Sequence, residues 1–164
     1  MRVLGIDAGF AIVGWSILGT NPAQKNGLNL IEYGAILTDS DLSFEQRLEL
    51  IFNDLNKIIK EFKPDDIAIE SLFYFKNQKT VINVGQARGV ILLAAQLNKL
   101  NIYDYTPLQV KTGLTGYGRA DKAQIQKMVK MIFGLKEIPK PDDVADAIAI
   151  AYCHLSSVKL RKKI

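Results

Sequence analysis

Four acids stand where a hydrophobic core would not put them. Asp7 closes the apolar run Val3-Leu4-Gly5-Ile6, and Glu70 closes Ile67-Ala68-Ile69. Asp143 and Asp146 lie three residues apart in a stretch otherwise made of Val, Ala and Ile. Singly, each has an ordinary explanation. Asp7 beside Gly9 suits a turn and Glu70 a sheet edge, while Asp142, Asp143 and Asp146 suit the first turns of a helix, where acids gain roughly 0.3–1 kcal/mol each from the macrodipole. Jointly they mean more, because two adjacent strand ends and one helix would gather four carboxylates on one side of a sheet. Such a cluster repels itself, and at least one pKa must rise unless cations intervene. Two Mg²⁺ ions would balance the four charges with the oxygen ligands that hard cations take, and Mn²⁺ is expected to substitute. A metal pair ~3.5–4 Å apart can activate a water and stabilise the leaving oxygen of a phosphodiester. Cys153 and His154 are the only Cys and His, so there is no zinc set, and no nucleophile elbow accompanies a Ser–His–Asp triad.

The elements that must carry these acids follow from periodicity. Apolar runs at 3–6 and 12–18 flank Ala8-Gly9, as in a hairpin, and 30–37 makes a third strand. Ser43 with Gln46 forms a capping box, and Phe44, Leu48, Ile51, Leu55, Ile58 and Phe62 follow at helical spacing until Pro64. Residues 67–69 form a fourth strand. Residues 81–97 read as a helix whose Gly85, Ala87 and Gly89 would permit close packing. Residues 102–105 form a fifth strand, closed by Thr106-Pro107. Helices are expected at 121–133, stopped by Gly134, and at 143–158. Asp143 and Asp146 would share a helix face with Ala147 and Ile150, turned toward the core. The expected fold is α/β: a mixed five-stranded sheet flanked by helices, without repeats or linkers.

Size and charge set the class. The chain has 164 residues, close to the ~100–150 of a common domain. The expected division is one domain over 1–157 and a basic tail over 158–164. One cysteine rules out an internal disulfide framework and suits a reducing compartment. No apolar run approaches the ~20 residues of a membrane span, and the opening run leaves no room for a secretory signal, so a cytoplasmic protein without a membrane partner is expected. The net charge is +4, and it is unevenly spread. Residues 111–130 carry Lys111, Arg119, Lys122, Lys127 and Lys130 against Asp121 alone, and the tail adds Lys159, Arg161, Lys162 and Lys163. Residues 39–66 are acidic. One face therefore suits a polyanion, with a merely solvated surface as the alternative.

The motifs Leu4-Gly5-Ile6-Asp7-Ala8-Gly9, Ala68-Ile69-Glu70-Ser71-Leu72-Phe73, Gly85-Gln86-Ala87-Arg88-Gly89, Gly116-Tyr117-Gly118-Arg119-Ala120-Asp121-Lys122 and Asp143-Val144-Ala145-Asp146-Ala147 resemble, in this order, the RuvC family of Holliday junction resolvases. The opening motif alone is shared with actin-like ATPases; the ordered set is far more specific. The resemblance implies an RNase H-like fold and a homodimer that cuts two strands of a four-way DNA junction. It implies that Asp7, Glu70, Asp143 and Asp146 bind two Mg²⁺, and that the RuvA–RuvB branch-migration motor is a partner. Phe73, the third residue after Glu70, falls where the family places a junction-wedging aromatic, with Tyr74 a further candidate for DNA contact. Lys111 and Lys122 match basic residues near the scissile phosphate, and Arg88 sits in a family-like segment. Two departures stand out: Ala8 replaces a common Pro, and Asp143 occurs where some relatives carry His. The residues themselves leave open another RNase H-like nuclease, acting on RNA or simpler DNA, and a junction-binding module without catalysis.

Overall fold

The computed structural model describes residues 1–24, 26–71 and 78–161. Five strands form one sheet: β1 (Arg2–Asp7), β2 (Ile12–Thr20), β3 (Leu28–Leu37), β4 (Asp66–Glu70) and β5 (Asn101–Tyr105), in the order β3-β2-β1-β4-β5. The first three make an antiparallel meander, and β4 and β5 are added parallel to β1, each after a helical crossover. The helices are α1 (Phe44–Phe62), α2 (Gln78–Leu97), α3 (Pro107–Thr115), α4 (Lys122–Phe133) and α5 (Asp142–Arg161). No helix among the described residues is long and apolar enough to cross a membrane.

Alternation along the strands divides the core in two. Leu4, Ile6, Val13, Ile17, Ile67 and Ile69 face α1 and α2, whereas Val3, Leu18 and Ala68 face the layer built by α3, α4 and α5. Ser43 caps α1 and exchanges hydrogen bonds with Gln46, as the spacing requires. Past the helix Lys63 takes a left-handed conformation, and Pro64 cannot continue it. The sequence reading overlooks α3. Pro107 does not close β5; it occupies the first turn of a new helix, whose missing N–H costs nothing there. Thr106 caps α3 through a second capping box with Gln109, identical in form to the first.

The glycines of α2 also behave differently from the expectation. Ala87 is fully buried, but a Cβ at Gly85 or Gly89 would meet nothing among the described residues within 4 Å. They lie on the outer face with Ile82, Leu93 and Leu97, which are 60 %, 52 % and 62 % exposed. Close packing inside the molecule is instead a property of β1 and β2 beneath α5. A Cβ on Gly5 would stand 2.2 Å from the Ala147 carbonyl oxygen, and one on Gly14 would stand 2.1 Å from that of Asp143. Ser16, paired with Gly5 across β1 and β2, donates its hydroxyl to the Ala147 carbonyl at 3.0 Å.

Candidate active site

Strand register brings the first two acids together. β1 and β4 pair in parallel with Ile6 opposite Ile69, so Asp7 and Glu70 end neighbouring strands at the same level. Both follow the parity of residues that face α5, and neither side chain has a hydrogen-bond partner among the described residues. The second pair comes from the first turns of α5. Asp7 pairs with Gly14 across β1 and β2, and Gly14 lies directly beneath the backbone of Asp143. Asp146, one turn on, adjoins Ala147, which is seated over Gly5 and Ser16. Side chains larger than these on the strands would lift α5 and carry both of its acids away from the sheet. Gly5, Gly14 and Ser16 are therefore positioning residues that motif spacing does not reveal; the only sequence signal is three small residues on strands otherwise rich in Val, Ile and Leu.

The electrostatics are those of an unbalanced cluster. Asp7 is pushed up to about 8, first by burial and then by Asp146, Glu70 and Asp143. Glu70 is raised by burial and by Asp146, against the pull of Lys111 and Lys122. Asp146 is raised by burial too, with Lys122 opposing. The Lys122 ammonium bridges Asp142 and Asp146, lying 3.3 Å from the latter. Burial alone would lower its pKa, but hydrogen bonds to Asp142 and Asp146 prevail and raise it. Asp142 is correspondingly lowered by that same lysine. Asp142, read from sequence only as a helix-terminal acid, thus anchors Lys122.

The remaining candidates fall in different places. Lys111, on α3, joins Lys122, Glu70 and Asp146 around a cavity of ≈ 200 Å³ beside the acids, so the overlooked helix delivers one of the two lysines. Arg88 is ion-paired with Asp104 on β5, and its side chain is only 15 % exposed. That placement accounts for Arg88 as a link between α2 and the sheet. Phe73 and Tyr74 lie outside the described residues. His154 is fully buried, with Nε2 2.9 Å from Asp66 Oδ2 and Nδ1 2.8 Å from the Tyr105 hydroxyl, as befits a packed residue.

Four carboxylates, no soft ligands and two flanking ammonium groups suit a hard divalent cation that carries phosphate oxygens in its coordination shell. Among the described residues no three His, Cys, Asp or Glu side chains already stand close enough to share one ion. The fit therefore rests on donor chemistry and on the buried, mutually repelling carboxylates that surround Asp7.

Comparison with known proteins decides the lineage. The family model for "Crossover junction endodeoxyribonuclease RuvC" matches residues 3–154. The chain belongs to the RuvC family. It is 56 % identical over 158 residues to the family protein of Fusobacterium nucleatum, covering 96 % of this chain and 82 % of that one. The relative from Caldicellulosiruptor saccharolyticus is also 56 % identical, over 96 % of this chain and 93 % of its own. Among solved structures, T. thermophilus RuvC in complex with a Holliday junction substrate superposes with a TM-score of 0.90 at 32 % identity, covering 98 % of this chain and 96 % of that one. The yeast mitochondrial Holliday junction resolvase Ydc2 shares the fold at a TM-score of 0.71 and 16 % identity, over 98 % of this chain and 80 % of that chain. The RNase H-like fold expected from the motifs is the one observed, and the chain is a nuclease of the family's kind.

Proposed function

We infer that this chain resolves four-way (Holliday) DNA junctions during recombination and repair by paired, symmetric phosphodiester hydrolysis. The observation that carries this reading is the gathering of Glu70 from β4 and Asp143 and Asp146 from α5 near Asp7 of β1, whose pKa burial first and these neighbours next push up to about 8. Asp7, Glu70, Asp143 and Asp146 would hold two Mg²⁺, with Mn²⁺ a workable substitute. When bound, such a pair supplies an activated water and stabilises the leaving oxygen. The protein's own groups do the rest. Asp7 would hold the cations as its carboxylate, its proton passing to solvent. Lys111 and Lys122 hold the scissile phosphate and face the charge that develops on it. The sheet beneath α5 fixes the acids, so little reorganisation accompanies reaction. Phe73 and Tyr74 are candidates to wedge the junction open, and the basic tail over 158–164 adds salt-sensitive attraction to DNA.

Two incisions on opposite strands call for two sites related by a two-fold axis. The outer face of α2, with Ile82, Leu93 and Leu97 around the open Gly85 and Gly89, is the surface we assign to a second copy of the chain. Leu93→Glu should then yield monomers by light scattering. Partnership with the RuvA–RuvB motor and residence in the cytoplasm complete the reading, the latter in keeping with a single free, buried Cys153.

The deciding experiment measures nicking of a synthetic four-way junction while Mg²⁺ is titrated, beside flap and RNA–DNA hybrid substrates. Metal-dependent junction cutting by the wild type, and none by Asp7→Asn with binding retained, is the expected result. Preference for another substrate would favour a different RNase H-like nuclease. Tight binding with no product would favour a module that only grips junctions.

A further inference from the structure

The acids sit between two depressions of opposite character. The cavity on one side carries Lys111 and Lys122. On the far side of Asp143 lies a second groove of ≈ 410 Å³, between the β1–β2 turn at residues 9–12 and Asn83 and Val84 of α2. Its size falls within the ~300–1,000 Å³ of small-ligand sites. Among the described residues no Lys or Arg lines it, and the one charged wall is Asp143. The described lining thus differs from the lysine side, being apolar apart from Asp143 and one amide.

What the groove offers instead is an apolar slot with one amide. Phe10, Ala11, Ile12 and Val84 supply the apolar walls. The Phe10 ring is held from behind, stacked on Phe44 at 4.7 Å with the Arg47 guanidinium 3.9 Å from its centroid. Arg47 in turn donates to Thr38 at 2.9 Å, so it is committed to this support rather than to the groove. Gly9 lets the turn close; a Cβ there would stand 2.1 Å from the Ile12 carbonyl oxygen. Among the described residues Asn83 is the one amide side chain in the lining, and its carboxamide has no hydrogen-bond partner there. A neutral planar group that stacks on apolar walls and presents donors and acceptors at its edge fits this description, and a nucleobase is such a group.

Resting on junction cleavage as read above, we propose that the base of the nucleotide adjoining the scissile phosphate, on the side away from Lys111 and Lys122, enters this groove and that Asn83 reads its edge. Asn83 is then a specificity-determining residue for the cut site. The groove adjoins Asp143, so the nucleotide it takes lies next to the phosphate held over the acids. The carboxamide discriminates because a base with the wrong edge leaves both partners unsatisfied.

The test uses four-way junctions that differ only in the base at the two nucleotides flanking the cut. Single-turnover cleavage rates at saturating protein, and junction Kd, are measured for the wild type, Asn83→Ala and Asn83→Asp. Alanine suits a half-exposed helix position, so the first variant folds. The wild type should discriminate among bases at one flanking position by about tenfold or more, the scale of one well-placed amide contact. Asn83→Ala should flatten that profile to within roughly twofold at unchanged Kd, and Asn83→Asp should turn it toward bases that present an amino donor. An unaltered profile in Asn83→Ala, a uniform loss of rate with discrimination preserved, or a wild type indifferent to both positions would overturn the assignment. Cutting of any junction by the wild type in the same assay would uphold the nuclease reading regardless, so the two can fail separately.

Discussion

β4 begins and ends with a carboxylate on the same face, and the two have opposite fates. Asp66, 4 % exposed, accepts from Asn101 at 2.9 Å through one oxygen and meets His154 at 2.9 Å through the other. His154 continues the chain of contacts to the Tyr105 hydroxyl, and the Tyr103 ring packs against it at 4.5 Å. Glu70, four residues on, has no hydrogen-bond partner among the described residues and stands in the field of Asp146. α5 spans both ends, presenting Asp143 and Asp146 at one and His154 at the other. Strand, face and carboxylate chemistry are thus shared; Asp66 is buried and Glu70 half-buried, and the telling difference is satisfaction. A carboxylate whose oxygens are all used is architecture; a set of carboxylates that raise one another's pKa is waiting for positive charge.

That contrast can be broken most forcefully at Asp7. Asp7→Asn should lower junction cleavage by at least about a thousandfold, since metal-based charge stabilisation is worth several kcal/mol, with binding retained in a gel-shift assay. At the satisfied end the same kind of change should hit the fold instead. His154→Ala leaves Asp66 Oδ2 without its partner in the core and should cost about 1–3 kcal/mol in urea melts, while the protein that remains folded in the cold still cuts. Gly14→Ala tests the link between the two ends. Its methyl group is aimed at the Asp143 carbonyl, so a loss of roughly 1–3 kcal/mol should accompany a fall in cleavage as α5 lifts.

The smallest effect sharpens the comparison through pH. Asp7, Glu70 and Asp146 are all raised in the folded protein, so the native state keeps protons that the unfolded chain releases. Their contribution to metal-free stability is therefore greatest in acid and declines as pH climbs from the unfolded values of about 4 toward the 8 of Asp7. Asp7→Asn should raise the Tm of the metal-free protein by roughly 2–8 °C at pH 8, and the gain should shrink toward pH 4. A Tm difference that is flat with pH would show that neither burial nor the neighbouring acids raise Asp7 in the folded protein.

Much of the unsatisfied end is legible in the sequence, and little of the satisfied end is. Asp7 and Glu70 end strands with clear apolar patterns, and Asp143 and Asp146 interrupt an apolar helix, so their misfit is visible locally. Asp66 and His154 are 88 residues apart, and each looks ordinary beside its neighbours. The same holds for Gly5, Gly14 and Ser16, whose meaning is the helix that crosses them. α3 is hidden for a different reason: Pro107 looks like a terminator after a strand, although the Thr106–Gln109 pair carries the same capping signal that marks α1. Gly85 and Gly89 suggested close packing, but smallness alone does not say on which side of a helix the neighbour lies.

The order of elements along the chain has a temporal consequence. The first acid leaves the ribosome on β1 and the last two on α5, the final helix, and the parallel pairing of β1 with β4 must be in place before α5 has a surface to land on. A nascent or truncated chain that lacks this helix has half the acids and no means of holding them. The four acids can meet only once α5 has been made and docked, so the capacity to cut DNA arrives with the last of the described helices rather than growing as the chain lengthens.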